Sequence, residues 1–348
     1  MVTIRDIAKV TGLSIATVSM VLNKAGRRIP VSTQKLVEQA ARDLGYSPNL
    51  QARSLRSRRT QSIGVLVFDI TDPYCTLIVR GIENSLYESG YMPVLTDLQN
   101  DPNRLRRCAQ MLIERRVEGL IAIANPVHLG TDLSTMIQQF KVPAVVIGSD
   151  VTDGVFASVV IDNKSGTSAA MKHLAELGHR QIAVIKGPRC MVDSKPRWEG
   201  IRECARKMGI KIDPILVVEI KGKNSSYEEG YKVTEQLLRA GKPFTGLLAF
   251  DDLTAFAAIG ALSNAGIRVP EGCSVVGFDD IPGAAYYNPP LTTINQHLET
   301  QGLLAAKVIK QMLSVDAPSN LSKHERVAPH LIVRKSTSRA PSARVNAK

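Results

Sequence analysis

The sequence predicts an all-α N-terminal unit followed by a larger α/β core of parallel sheets in two lobes. Three observations predict this. Residues 1–45 carry apolar positions at helical spacing, whereas from Ser62 onward short apolar runs alternate with helix-length intervals. The 348 residues exceed one average domain. Formal charge is +8 over residues 1–60, −1 over residues 61–333 and +5 over residues 334–348, so a nearly neutral core has basic ends.

Taken in order, Thr3 is placed to cap a first helix through Val10, with Ile4, Ile7 and Ala8 on one face. Gly12 makes a turn. Ser14 caps a second helix to about Asn23, with Val18, Val21 and Leu22 inward. A third helix is expected to start at Ser32 or Thr33 and end near Gly45, burying Leu36, Val37, Ala40, Ala41 and Leu44. Residues 47–61 change character: they are polar and arginine-rich, and Pro48 breaks a helix from the left while Asn49 can cap a short new one. This stretch reads as a hinge holding one short helix.

Strands are expected at Ile63–Phe68, Met92–Leu95, Leu120–Ala124, Ala144–Ile147, Val159–Ile161, Ile182–Ile185, Leu216–Ile220, Gly246–Phe250 and Val275–Phe278. About one helix fits each gap, which implies parallel strands with right-handed crossovers. So many strands sit more comfortably in two lobes than in one sheet, with lobe boundaries expected near 162 and 292. The core is read as residues 62–335, and the basic, Ser/Arg/Ala/Pro-rich residues 336–348 as a disordered tail.

Composition narrows the function classes. The 44% hydrophobic and 22% charged residues fit a soluble globular protein, and no apolar run is long enough to span a membrane. The first residues lack the apolar core of an export signal, so a cytoplasmic location is expected. The five cysteines form no CxxC pair and the six histidines show no ligand spacing, so neither metal nor cofactor is expected. His179, after Leu177-Gly178, is read as a structural cation closing a helix. No GxSxG, GxxxxGK[ST], GxGxxG or HExxH motif occurs, and Asp279-Asp280 has no evident base partner, so catalysis is not expected. An enzyme or an exported solute-binding protein would suit the α/β core alone, but not the basic N-terminal unit.

That unit has the spacing of a helix-turn-helix. Ala8 lets the second helix cross the first, Gly12 four residues later takes the turn, and Val18 six further on plugs the two together. On the second helix Ser14, Ile15, Ala16, Thr17, Ser19 and Met20 point outward. Hydroxyls at the start of such a helix suit phosphates and the other side chains suit base edges. Together with the local positive charge, this points to double-stranded DNA as partner.

At this point the chain resembles the lactose/galactose repressor (LacI/GalR) family. The residues are Val2 to Lys9, Gly12-Leu13-Ser14, Ala16 to Ser19, Val21-Leu22-Asn23, Leu44-Gly45-Tyr46, Pro48-Asn49 and Ala52 to Leu55. In the core they are Asp69 to Tyr74, Asp162-Asn163, Leu177 to Arg180, Arg197, Gly266 to Pro270, Val275 to Ile281 and Pro289 to Ile294. The resemblance implies a regulator, most simply a repressor, that binds a palindromic operator as a homodimer. It implies DNA contacts from Thr3, Ser14, Ile15, Ala16, Thr17, Ser19, Met20 and Asn23, with Leu55 wedged into the minor groove. It also implies a periplasmic-binding-protein-like core holding a small-molecule effector between its lobes, with Tyr74, Arg197, Asp251, Asp279 and Gln296 facing it. The tail lacks the apolar heptads that make tetramers in this family, which favours a dimer. Three positions depart from the family pattern. Met20 stands where arginine is common, so a thymine methyl suits it better than guanine. Asp251 stands where asparagine is common, and Cys75 where a second aromatic is common. The added carboxylate and the lost ring favour a sugar, a related polyol or a cation over a strongly anionic effector.

Overall fold

A computed structural model describes residues 2–23, 29–47, 59–123, 131–149, 155–222, 225–314 and 324–341. The chain divides into two compact units, residues 1–60 and 61–348.

Among the described residues the first unit holds three helices, α1 (Ile4–Thr11), α2 (Ile15–Leu22) and α3 (Val31–Asp43). The Asp6 carboxylate caps α1 by accepting from both the backbone N–H and the hydroxyl of Thr3, each at 2.8 Å. Gly12 turns the chain at φ 67°, a conformation glycine takes without steric cost. α3 starts at Val31 rather than at Ser32 or Thr33. Pro30 precedes it with φ already at −55° and its carbonyl accepts from Gln34, so no hydroxyl cap is used. The helix closes at Gly45 (φ 64°), with Tyr46 N–H donating back to the Ala41 carbonyl at 2.8 Å. Ile7, Ala8, Val18, Val21, Val37, Ala40 and Ala41 form the core. Leu36, expected inside, is 50% exposed.

The second unit starts with β1 (Ser62–Val67), α4 (Pro73–Tyr87), β2 (Met92–Asp97), α5 (Pro102–Glu114), β3 (Gly119–Ile123), α6 (Thr131–Phe140), β4 (Ala144–Ile147) and β5 (Ala157–Ile161). It continues with α7 (Asn163–Glu176), β6 (Ile182–Lys186), α8 (Ser194–Lys207), β7 (Val217–Glu219), α9 (Tyr227–Arg239), β8 (Gly246–Leu248), α10 (Asp252–Asn264), β9 (Ser274–Asp279), the short α11 (Gly283–Tyr286) and β10 (Thr292–Asn295). α12 (Leu298–Leu313), β11 (His324–Val327) and β12 (His330–Ile332) complete it. One sheet runs β11-β5-β4-β3-β1-β2 and the other β12-β10-β9-β8-β6-β7. The described pairings are parallel except β12 with β10. The central strands are buried along their length, for instance β1, β3 and β9, as expected where helices cover both faces.

The chain passes between these lobes at Asp162, at Gln296–His297 and again between Val327 and His330. The expectation of boundaries near 162 and 292 therefore needs two corrections. The second passage lies a few residues later, because Thr292–Asn295 is a strand of the second lobe. A third passage exists because β11 and β12 add one edge strand to each sheet. α12 returns to the first lobe and lies against α4 at very close range. A Cβ on Gly81 would stand 2.0 Å from the Glu299 carbonyl oxygen, and one on Gly302 2.0 Å from that of Ile78.

The expectation that the chain is disordered from residue 336 is also corrected. Ser336 is fully buried; its hydroxyl donates to the Val275 carbonyl at 2.6 Å and accepts from the Thr292 N–H at 2.8 Å. Ala340 N–H donates to the Leu177 carbonyl at 2.8 Å. Hydroxyls here complete backbone bonding at the end of a sheet, so a polar composition is compatible with burial. Residues 342–348 lie outside the described residues. His179 belongs to the same strap. Its Nε2 lies 3.0 Å from the Ser338 carbonyl and its Nδ1 2.9 Å from the Thr245 hydroxyl. Burial pulls its pKa below the usual value, so it bonds as a neutral ring rather than as the expected helix-end cation.

Candidate functional site

The first candidate surface is α2. The Ser14 hydroxyl caps it by accepting from Thr17 N–H at 3.0 Å, and also lies 2.8 Å from the Thr17 hydroxyl. At the far end, the Asn23 amide donates to the Ser19 carbonyl at 2.8 Å. Val18 faces the core, fully buried, while Thr17 and Ser19 flank it half-buried. Thr3, Ser14, Ile15, Ala16, Met20 and Asn23 are exposed. Ile15 and Met20 hold 51% and 43% of their surface in solvent on a helix whose core contacts are made by other residues. Two such apolar side chains flanked by hydroxyls suit a groove floor carrying thymine methyls, edged by phosphates. Leu55 lies outside the described residues.

The second candidate is a cleft between the two lobes of the core. Arg197, on α8, is its centre and is 5% exposed. Its Nε donates to Asn163 Oδ1 at 2.9 Å, its Nη1 to the Phe250 carbonyl at 2.7 Å, and its Nη2 meets Asp193 Oδ2 at 2.6 Å. Asp279 Oδ1 lies further off, at 3.8 Å. The guanidinium stacks on Phe278, 3.8 Å from the ring centre, with Phe250 at 4.7 Å. The four-residue spacing of Asp193 and Arg197 puts both on one face of α8, a signal present in the sequence but not used.

Around this arginine the cleft is lined by Tyr74, Asp72, Asp193, Asp251, Asp279 and Phe250, among others. Its cavity is narrow, about 20 Å³, room for about one water. Asp72 caps α4, accepting from Tyr74 N–H at 2.9 Å, and Asp251 caps α10, accepting from Thr254 N–H at 2.8 Å. Burial pushes the Asp72 carboxyl up to about 7, with Asp251 and Asp69 adding to the rise. Burial likewise holds Asp279 well above the usual carboxylate range, against the pull of Arg197. Directly behind the cleft, Asp252 is fully buried and accepts from Ile281 N–H at 2.9 Å and from the Thr293 hydroxyl. Burial raises its carboxyl to about 8.

Four of the five expected effector-facing residues, Tyr74, Arg197, Asp251 and Asp279, thus line one cleft. Gln296 does not. It is fully buried at the second passage between lobes, with its amide donating to Asp279 Oδ1. It sets the position of Asp279 rather than the lining. Cys75, expected to alter the cleft, is fully buried among core residues of the first lobe. Sequence reasoning missed Asp72 and Asp193, which contribute two of the cleft carboxylates. On the other side of Asp279 a wider cavity of about 360 Å³ is bordered by Asp280, His297 and Arg334. There Arg334 is paired with Asp280 at 2.6 Å. Among the described residues no group of three or more His, Cys, Asp or Glu side chains is disposed to hold a metal ion. No described helix is long and apolar enough to cross a membrane.

A helix-turn-helix with an exposed second helix, joined in one chain to a two-lobed core with a polar cleft, defines a class: DNA-binding regulators that carry a ligand-binding domain. Comparison with known proteins gives the family. Residues 3–49 match the model for bacterial regulatory proteins of the lacI family, and residues 171–337 match a periplasmic binding protein-like domain. The HTH-type transcriptional repressor PurR of Haemophilus influenzae (strain PittEE) is 34% identical over 340 residues, spanning 97% of this chain and 98% of the relative. The lac repressor dimer bound to operator and the anti-inducer ONPF superposes with a TM-score of 0.84 at 28% identity, covering 97% of this chain and 99% of that one. A transcriptional regulator CelR–cellobiose complex gives 0.70 at 29% identity, covering 97% and 100%. The chain belongs to the LacI family and is a DNA-binding transcriptional repressor, as are the PurR and lac repressor relatives above.

Proposed function

We propose that this repressor acts in the cytoplasm as a homodimer on a palindromic operator, under the control of a sugar or related polyol bound in the core cleft. The observation that carries the DNA half is the exposed pair Ile15 and Met20 on a helix whose inner face is already filled. In this reading α2 lies in the major groove, with Thr3, Ser14, Ala16, Thr17, Ser19 and Asn23 at phosphates or base edges and Leu55 at the central step. Two copies on a palindrome match the protein's two-fold symmetry to that of the DNA. The unit of residues 1–46, the hinge of 47–61 and the core from 62 onward would then act in sequence.

The effector half is supported by the cleft. Phe250 and Tyr74 offer ring surface, and Asp251, Asp279 and Asp193 offer acceptors for hydroxyls. The matched CelR complex contains cellobiose. A cavity of about 20 Å³ must widen to admit a sugar, so binding and lobe rotation are one event. With three strands of chain joining the lobes, that rotation would be transmitted to the hinge and so to operator affinity.

Selection of binding sites from a random duplex pool tests the DNA half. The expected result is a palindrome of two half-sites around a flexible central step. Recovery of unrelated sequences at the level of a protein-free control would contradict it.

A further inference from the structure

The cleft carboxylates outnumber the cleft cations, and the arginine present is already used. Among the described residues lining it, Asp72, Asp193, Asp251 and Asp279 supply four carboxyl groups against Arg197 alone. Arg197 spends its Nε on Asn163, its Nη1 on the Phe250 carbonyl and its Nη2 on Asp193. An anionic ligand would meet no uncommitted charged donor among these residues. A neutral sugar could satisfy the acceptors one hydroxyl at a time, but would bring no positive charge to a cleft with four carboxyl groups and one arginine.

A second observation marks where compensation is lacking. Asp193 is 4% exposed; its Oδ2 is paired with Arg197, yet its Oδ1 is buried without a hydrogen-bond partner. An acceptor of this kind, charged and shut away from water, is costly unless a donor reaches it. Asp193 borders the cleft, so a ligand there is placed to supply that donor. Asp251, across the same space, has one oxygen engaged with Thr254 N–H and stands where asparagine would suffice to cap α10.

We infer that the effector is an amine-bearing polyol, of the amino-sugar class, whose ammonium group is held by Asp193 with Asp251 and Asp72 around it. The inference rests on the reading of the cleft as the effector site and narrows its ligand. An ammonium group brings several N–H donors and a full positive charge, and charge-assisted bonds to carboxylates are about twice as strong as neutral ones. Burial raises the carboxyls of Asp279 and Asp72; a cation beside them favours their ionised form, so binding releases protons.

The test is calorimetric titration of the full chain with matched sets: glucosamine, glucose, N-acetylglucosamine and glucose 6-phosphate, and the corresponding galactose set. Trp198, the one tryptophan of the sequence and the neighbour of Arg197 on α8, gives an independent fluorescence readout. An amine should bind at least about tenfold more tightly than its neutral partners, with proton release seen as a dependence of the heat on buffer. Asp251→Asn, which keeps the α10 cap, should reduce the preference severalfold without abolishing binding of the neutral sugar. Asp193→Asn should do the same, and a melting curve separates loss of preference from loss of fold. If neutral and amine forms bind within about twofold of each other, the charge inference is overturned and the sugar reading stands. If the phosphate binds best, or if no member of either set binds, both are overturned.

Discussion

The proposed reading helix and the proposed effector cleft hold their side chains in opposite ways. On α2 the outward residues are tied by hydrogen bonds of Ser14 and Asn23 at the two ends, and Ile15 and Met20 are about half exposed and lie outside the apolar core of the unit. In the cleft Arg197 has a partner at each nitrogen and a ring on its face, and Asp251 and Asp72 double as helix caps. On this reading DNA specificity can change by single substitutions at little cost to folding, whereas removing a cleft side chain such as Arg197 also removes bonds that hold the core. That contrast can be tested in order of effect.

The largest effect is expected for Arg197→Ala. It strips Asp193 of its ion pair and leaves the Phe250 carbonyl and Asn163 without donors, so the core should lose about 3–5 kcal/mol in denaturant unfolding. A loss under about 1 kcal/mol would break the comparison, because the arginine would then be a free ligand-binding group. Next comes Ser336→Ala, which leaves Thr292 N–H and the Val275 carbonyl unmatched in a buried place. It should cost about 1–3 kcal/mol, and no cost would mean the strap does not hold in solution.

Acidity behind the cleft gives a graded effect that is read against pH rather than against a single substitution. Burial holds Asp252 at about 8, against about 4 for a free aspartate, so between those pH values the folded core keeps a proton that the unfolded chain has released. Its contribution to stability is complete below that window and declines as pH rises through it; Asp72, at about 7, acts in the same direction. Thermal midpoints should fall from pH 5 toward pH 8, and Asp252→Asn should flatten the slope. Smallest is Met20→Arg, which should change unfolding by no more than about 0.5 kcal/mol. The same substitution should shift base preference toward guanine by about 1–3 kcal/mol at one position of each half-site. A melting change without a change in preference would reverse the roles assigned to the two regions.

Both regions were partly legible in the sequence, for different reasons. The helix-turn-helix follows from short-range spacing: Ala8, Gly12 and Val18 need only local geometry, and the structure places Val18 inside and Met20 outside on that basis. The buried parallel strands follow from apolar runs such as Ile63 to Phe68. The cleft was legible only where the family resemblance marked it. Asp72 and Asp193 become cleft residues through the folding of distant segments onto one another, and neither Asp-Pro nor an acid four residues before an arginine says so alone. The strap of Ser336 to Ala340 was misread because its composition suits solvent; its hydroxyls replace missing backbone partners, which composition does not reveal. Strands β11 and β12 are short and polar at their exposed edges, so they carried too weak a period to be seen.

The claim that joins the two regions is that occupancy of the cleft sets the affinity of the reading helix for DNA. The direct measurement is titration of the selected operator duplex with the full chain, with and without a saturating amount of the sugar or amino sugar that binds most tightly. The account predicts a change in operator affinity of about tenfold or more, weakened in Asp251→Asn, which keeps the α10 cap. An affinity that stays the same with the cleft filled would contradict it.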